Sequence, residues 1–223
     1  MKYSPLARSI SLGTLAVALS LPIAAQAAFI EDSTASLELR NFYMNRDFAN
    51  SNTTPNVKNP GVTGKSPAET RSKSEEWAQG FLLRYESGFT EGTVGVGIDA
   101  YGFSGLKLDS GRGTSNTGLL LKDKETGKAQ DSYGELGAAA KFRISETTLR
   151  AGTLMPKLPI VSASDLRLLP DTFQGMQLTS LDVSNLTLNA GQLERQNHRD
   201  STNNEPIALA GTFHTGKRDA RNY

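Results

Sequence analysis

Alternation of apolar and polar positions is the dominant pattern after the first 27 residues. Along residues 75–87, Trp77, Phe81 and Leu83 fall on one face of an extended chain, while Gly80 and Arg84 fall on the other. A period of two over this length is typical of a strand buried on one side. The segments that alternate, strongly or weakly, are 36–45, 75–87, 93–103, 132–143, 146–154, 175–180, 186–194 and 206–214. The pattern predicts about eight strands and no sustained helical stripe.

The two faces of these strands differ in a way that favours a membrane barrel. A soluble sandwich turns its bulky apolar residues inward and its charges outward. Here the apolar faces are modest, and the opposite faces mix glycine with isolated charges. Aromatic residues near strand ends are Tyr43, Trp77, Tyr85 and Phe142. This combination predicts an all-β, transmembrane antiparallel β-barrel with a lipid-facing exterior and aromatic girdles. Glycine on the inner face is expected to leave open space in the lumen.

Connections between the predicted strands alternate in length. Short turns occur at 87–92, 145–147 and 180–185, and long polar loops are predicted at 50–74, 104–130 and 196–205. Outer-membrane barrels alternate short periplasmic turns with long extracellular loops in this way. The N-terminus is therefore expected on the periplasmic side.

The stretch "MPKLPIVSASDLRLLPDTFQG", residues 155–175, is the third outward connection and is unusually apolar for a loop. Its prolines argue against a central strand, and its leucines would be a liability in water. We expect it to fold into the barrel as a pore constriction, with its leucines on the wall. Its polar residues would then face the narrowed pore: Ser162, Ser164, Asp165 and Arg167. An alternative for Asp165 and Arg167 is a mutual ion pair that pins the loop.

The first 27 residues have the composition of a secretory signal peptide. Lys2 and Arg8 precede an apolar stretch, and Ala25-Gln26-Ala27 fits a small-x-small cleavage site. The remaining residues, 28–223, are then the exported part. The 223 residues contain no cysteine, so no disulfide framework is expected. A formal net charge of +1 argues against a nucleic-acid partner.

Motifs for enzymatic or metal chemistry are weak. The segment "GVTGKS", residues 61–66, lacks the first glycine and the strand-to-helix context of a phosphate-binding loop. His198 and His214 are the only histidines and have no cysteine partner for a metal site. No nucleophile elbow is present. We therefore expect a protein that is not an enzyme and uses no cofactor or metal.

Four long stretches resemble one known family. "FIEDSTASLELRNFYMNRDF", "EEWAQGF", "SYGELG" and "AGTLMPKLPIVSASDLRLLPDTFQG" resemble the OprD-type outer-membrane porins of pseudomonads, the substrate-specific carboxylate channels. The resemblance implies an 18-stranded, monomeric barrel with an inward-folded third loop. It also implies uptake of small carboxylate-bearing solutes, including amino acids and aromatic acids, along a row of basic residues. Lipid of the outer membrane and the barrel-assembly machinery are the implied partners.

The count of predicted strands leaves three architectures open. About eight strands correspond to the N-terminal portion of such a porin, so we expect an incomplete chain. A small closed eight-stranded outer-membrane barrel with a structural or adhesive role is the alternative. A secreted soluble β-protein is a third possibility, although its exposed aromatic residues argue against it.

Five basic residues fall opposite the apolar faces and are the candidates for the carboxylate pathway: Arg40, Arg84, Lys141, Arg143 and Arg150. A solvated charge near a turn is the alternative for each of them. Arg150 lies mid-strand, where a lipid-facing arginine would cost about 2–4 kcal/mol, so its side chain is expected in the lumen. Asp99 and Glu135 are the expected acidic residues of the lumen.

Overall fold

The computed structural model of the protein describes residues 28–47, 73–110, 114–115, 117–123, 128–207 and 221–222. After a short helical turn at 28–31, the chain forms one antiparallel sheet. Its strands are β1 (Thr34–Asp47), β2 (Lys73–Glu86), β3 (Gly95–Asp109), β4 (Ser132–Ile144), β5 (Thr147–Leu154), β6 (Thr172–Ser180), β7 (Leu188–Asn197), β8 (Asn204–Pro206) and β9 (Arg221–Asn222). Strands β1 to β8 pair in chain order, and β9 lies beside β7. Within the described ranges, no helix has the length and hydropathy needed to cross a bilayer.

The predicted strands are confirmed from β1 to β7, with different boundaries. The long loop expected at 104–130 is wrong at its start, because β3 continues to Asp109. A register shift opposite Trp77 and Ala78 lets the last residues of β3 keep pairing. The strand expected at 206–214 overlaps β8 only at Pro206, since residues 208–214 lie outside the described residues, as does the predicted signal peptide at 1–27.

The predicted division into two faces is also observed. Trp77, Phe81 and Leu83 of β2 are exposed on the outer face, whereas Ala78 and Leu82 between them are fully buried on the inner face. In a soluble protein an apolar surface of this extent would be a liability, but lipid is its natural solvent. The exposed apolar face is therefore the lipid-contacting side of the sheet.

Long connections fold onto the inner face and fill it. Leu119 and Leu120, from the β3–β4 connection, and Leu168 and Leu169, from the β5–β6 connection, are buried against wall residues such as Leu82. Fully burying one such side chain stabilises the fold by about 2 kcal/mol. The connections are thus fixed on the wall by apolar contact.

Glycine on the inner face therefore has a different role from the one expected. A Cβ atom at Gly80 would lie 3.1 Å from the Leu168 carbonyl oxygen, and one at Gly105 would lie 2.9 Å from a Leu168 methyl carbon. The expectation that these glycines leave open lumen is wrong. They make room for connections that pack on the wall.

Candidate solute pathway on the inner face

Residues 155–171, called the inward segment below, connect β5 to β6 and hold their own backbone in place. The Leu158 N–H donates to the Val161 carbonyl at 2.9 Å, and the Ala163 N–H donates to the Pro156 carbonyl at 2.8 Å. Lys157 and Ser162 form a bridge across this small hairpin. At the end of the segment the Asp171 N–H donates to the Ser164 carbonyl at 2.8 Å. These bonds and the prolines give the segment a defined shape.

The inward segment reaches across the inner face to β1. Arg40 donates to both carboxylate oxygens of Asp165, at 2.6 and 2.9 Å, and to the Arg167 carbonyl at 3.2 Å. Arg84 of β2 lies 4.0 Å from the same carboxylate. Bidentate pairing of this kind fixes geometry as well as charge. The structure thus brings together the predicted residues Arg40, Arg84 and Asp165.

The alternative of a mutual ion pair between Asp165 and Arg167 is not observed. Asp165 pairs with Arg40, and the Arg167 guanidinium contacts the Met44 sulfur atom. Ser162 is exposed at the hairpin, whereas Ser164 is half-buried. Their predicted role at a narrowed pore stays a prediction.

A second group of charges surrounds Asp99 of β3. The Lys141 ammonium lies 2.6 Å from one carboxylate oxygen, and Nε of Arg150 lies 3.5 Å from the other. The Lys141 residue is only 4% exposed, while the Arg150 side chain is 39% exposed. The two predicted cations therefore differ: the Arg150 side chain is accessible from the inner face, and Lys141 is enclosed.

An open cleft of about 230 Å³ is lined by residues from both groups of charges. Arg84 of β2 and Arg150 of β5 line it from the wall, and Lys157 lines it from the inward segment. Asp99 and Glu86 are its acidic lining residues, so three cationic side chains meet two anionic ones. A cleft with an excess of positive charge attracts anions and raises their local concentration.

The remaining predicted residues lie at the two ends of the inner face. Arg143 lies toward the short-turn end of β4, with its guanidinium carbon 4.3 Å from the centre of the Phe89 ring. Glu135 lies toward the opposite end and accepts hydrogen bonds from the hydroxyls of Tyr101, at 3.1 Å, and Thr172, at 2.6 Å. Glu135 is therefore occupied by neutral donors.

Sequence reasoning missed three residues of this site. Glu38 accepts from Arg40 at 2.6 Å and from Arg84 at 3.1 Å, so it holds both cations on the wall. Strand alternation could have found it, since it lies two residues from Arg40 on the same face. Lys157 and Phe89 belong to connections, where no periodicity predicts the direction of a side chain.

These features together are those of the wall of an outer-membrane β-barrel. The sheet is antiparallel with an apolar outer face, its connections alternate in length, and one long connection lies on an inner face that carries cations. The chain belongs to the OprD family of outer membrane porins, whose family profile matches residues 27–223. It is a bacterial outer membrane protein of the porin type.

Proteins similar to this chain are found in pseudomonads and in Acinetobacter baumannii. The chain is 40% identical over 197 residues to the porin-like protein GalP of Pseudomonas putida KT2440, which covers 88% of this chain and 44% of GalP. The crystal structure of OccK9 (OpdG) from Pseudomonas aeruginosa matches with a TM-score of 0.74 and 42% identity, covering 87% of this chain and 46% of that one. The crystal structure of OpdK with vanillate, also from Pseudomonas aeruginosa, matches with a TM-score of 0.64 and 36% identity, covering 79% and 39%. The chain spans about half the length of the curated relatives that it matches.

Proposed function

We propose that the protein forms the wall of a channel for the facilitated diffusion of small carboxylate-bearing solutes, such as amino acids and aromatic acids. In this proposal the inward segment is the constriction, with Ser162, Ser164, Asp165 and Arg167 at its rim. The basic row comprises Arg40, Arg84, Lys141, Arg143 and Arg150. Selectivity in such a channel follows from its diameter and from the charges along it.

The cleft between Arg84 and Arg150 is the observation that carries the proposal. Cations from two strands and one connection line a single space, and the Arg150 side chain is well exposed there. A guanidinium presents a planar fork of donors that matches a carboxylate. Partial pairing with Asp99 keeps the attraction moderate, so a solute can enter and leave.

The solved relative OpdK supports the class of solute. Its structure was determined with vanillate, which is a small aromatic carboxylate. The uncharged part of such a solute needs an apolar surface, and Tyr101 lines the same cleft.

Transport assays with matched solutes test the proposal. The protein is purified from outer membranes and reconstituted in vesicles, and uptake of benzoate is compared with uptake of benzamide, its neutral analogue of the same size. We expect a faster rate for benzoate. Arg150→Gln and Arg84→Gln should each lower benzoate uptake by about fivefold, because each removes one cation from the cleft, and should leave benzamide uptake unchanged.

Lys73→Gln is the control for lost charge. Lys73 is the first residue of β2, at the opposite end of the strand from Arg84. It lies on the outer face with Trp77 and pairs with Glu75 at 2.5 Å. Its removal changes the net charge by the same amount without changing the cleft. Equal rates for benzoate and benzamide in the wild-type protein would contradict carboxylate selection, and an absence of conductance would favour a structural role.

A further inference from the structure

The turn at residues 87–90, called the inner-mouth turn below, departs from an ordinary hairpin. The Ser87 N–H donates to the Ile98 carbonyl at 2.9 Å, and the Thr90 N–H donates to the Val96 carbonyl at 2.9 Å. Two residues, Gly88 and Phe89, therefore stand opposite the single residue Gly97. This is the arrangement of a β-bulge, which turns the extra residue away from the ladder.

In this ladder, side-chain hydroxyl oxygens accept the hydrogen bonds that backbone carbonyls would otherwise accept. The Ile98 N–H donates to the Ser87 hydroxyl oxygen at 2.8 Å, and the Val96 N–H donates to the Thr90 hydroxyl oxygen at 2.9 Å. The Ser87 carbonyl is thereby released from pairing with β3. It accepts a hydrogen bond from the Lys141 ammonium at 2.6 Å instead.

Glycines of the inner face give this turn its space. A Cβ atom at Gly97 would lie 2.6 Å from Cε of Lys141 and 2.7 Å from the Gly88 carbonyl oxygen. A Cβ atom at Gly95 would lie 3.1 Å from Cβ of Phe89. The turn and the Lys141 side chain therefore rest directly on the backbone of β3, on its inner side.

The bulge directs the Phe89 side chain toward two cations of β4, Lys141 and Arg143. Its ring is half-buried, with the Lys141 ammonium 4.9 Å and the Arg143 guanidinium carbon 4.3 Å from its centre. Aromatic faces attract cations at such distances. Arg143 remains exposed, so its guanidinium can meet an anion beside an apolar ring.

We propose that the inner-mouth turn is a second narrowing at the periplasmic end of the channel, in which Phe89 and Arg143 receive the ring and the carboxylate of an aromatic acid, and Lys141 is the positioning residue that holds the turn. The inference rests on the proposed function for its solute, but not for its geometry. It assigns Lys141 a different task from Arg150, since its ammonium is enclosed by the Ser87 carbonyl and Asp99.

A single introduced thiol tests the narrowing, because the 223 residues contain no cysteine. Phe89→Cys is examined in planar bilayers in potassium chloride, before and after an anionic methanethiosulfonate reagent is added. We expect conductance to rise by about 1.5-fold on loss of the ring and to fall by about half on modification. Phe142→Cys is the matched control, since Phe142 lies between Lys141 and Arg143 in sequence but is exposed on the outer face. Its conductance should not change.

Lys141→Met and Asp99→Asn separate positioning from solute binding. The thiol is modified here with a neutral methanethiosulfonate reagent, whose reaction rate does not depend on the charge of the pore. The lysine variant loses the bond to the Ser87 carbonyl, so the thiol of Phe89→Cys in that background should react at a rate changed by about fivefold. The aspartate variant keeps that bond, so the rate should stay the same while selectivity for anions rises. Equal reaction rates in both backgrounds would overturn the positioning role.

Ion conductance distinguishes the failure of this inference from the failure of the proposed function. A conducting pore that does not respond to Phe89→Cys, its modification or the milder Phe89→Leu overturns the narrowing, whatever the solute. A pore that responds to these changes but takes up benzoate and benzamide equally supports the narrowing and overturns carboxylate selection. A protein that forms no pore overturns both.

Discussion

Two insertions lie on the same inner wall and are held in different ways. The inward segment buries Leu168 and Leu169 and adds a half-exposed ion pair from Arg40 to Asp165. The inner-mouth turn buries one ammonium, that of Lys141, against a released carbonyl and a carboxylate. Glycines of the wall make room for both.

The two kinds of contact should respond differently when a single side chain is removed. Apolar burial is shared among several side chains of the cluster, so each loss removes a fraction of the whole. A buried polar contact is concentrated in few atoms, and loss of one partner leaves the others unsatisfied in a dry environment. The inward segment should therefore loosen in steps, while the inner-mouth turn should be sensitive to the loss of Lys141 alone.

Truncation of Leu168 should have the largest effect on stability. Leu168 is 0% exposed, and Leu168→Ala would leave a cavity that costs about 3 kcal/mol. Leu166→Ala is the control, because that side chain is 79% exposed two residues away in the same segment. Unfolding in guanidinium, followed by tryptophan fluorescence in detergent micelles, should separate the two variants. Similar midpoints for both would contradict the packing of the inward segment on the wall.

A methyl group at Gly97 should have the next largest effect. Its closest neighbours would be Cε of Lys141 at 2.6 Å and the Gly88 carbonyl oxygen at 2.7 Å, so we expect Gly97→Ala to cost about 2 kcal/mol. Gly102→Ala in the same strand meets only the Leu136 methyl at 3.1 Å, where a flexible side chain can move. The same unfolding experiment, together with conductance, compares them. An unchanged unfolding midpoint and conductance in Gly97→Ala would show that the turn does not rest on β3.

The smallest expected effect is a pH dependence of stability that comes from Asp182, in the turn that connects β6 to β7. Asp182 accepts hydrogen bonds from the Thr147 hydroxyl and from the Glu146 N–H, the latter at 3.0 Å. Side-chain hydrogen bonds from Thr147 and Ser145, followed by the backbone bond from Glu146, hold the pKa of Asp182 well below its usual range. The folded state therefore binds this proton less tightly than the unfolded state does.

The sign of this dependence follows from linkage. A lowered pKa in the folded state stabilises the fold above the unfolded pKa of about 3.9, and this contribution is lost as the pH falls toward the folded pKa. The difference in unfolding midpoint between wild type and Asp182→Asn should be constant near neutrality and shrink below about pH 4. Thr147→Val should reproduce part of the loss. A difference that stays constant down to pH 3 would refute the assignment.

Strand alternation was sufficient to predict the wall. It placed Trp77 and Phe81 outside and Arg40, Arg84 and Arg150 inside, because successive side chains of a strand point to opposite faces. Proline and leucine content predicted that the inward segment packs on the wall, which is confirmed for Leu168 and Leu169 but wrong for Leu166, which is 79% exposed. These are local properties of the chain, so a single sequence carries them.

Contacts between distant segments could not be predicted in this way. The pairing of Asp165 with Arg40 depends on how far the inward segment reaches, and no periodicity sets that distance. Burial of Lys141 depends on a bulge that releases the Ser87 carbonyl, which is a property of tertiary hydrogen bonding. The sequence therefore predicted which charges face inward but not which of them are already neutralised.

Pairing of the strands in chain order also has a consequence for the order of assembly. Each hairpin closes a modest loop, so the wall can grow from one strand to the next at a low entropic cost. The contact between Ser87 and Lys141 spans 54 residues and can form once β4 has joined. The contact between Arg40 and Asp165 spans 125 residues and needs the chain beyond β5. We therefore expect the short-turn end of the wall to acquire its final shape before the region that the inward segment covers.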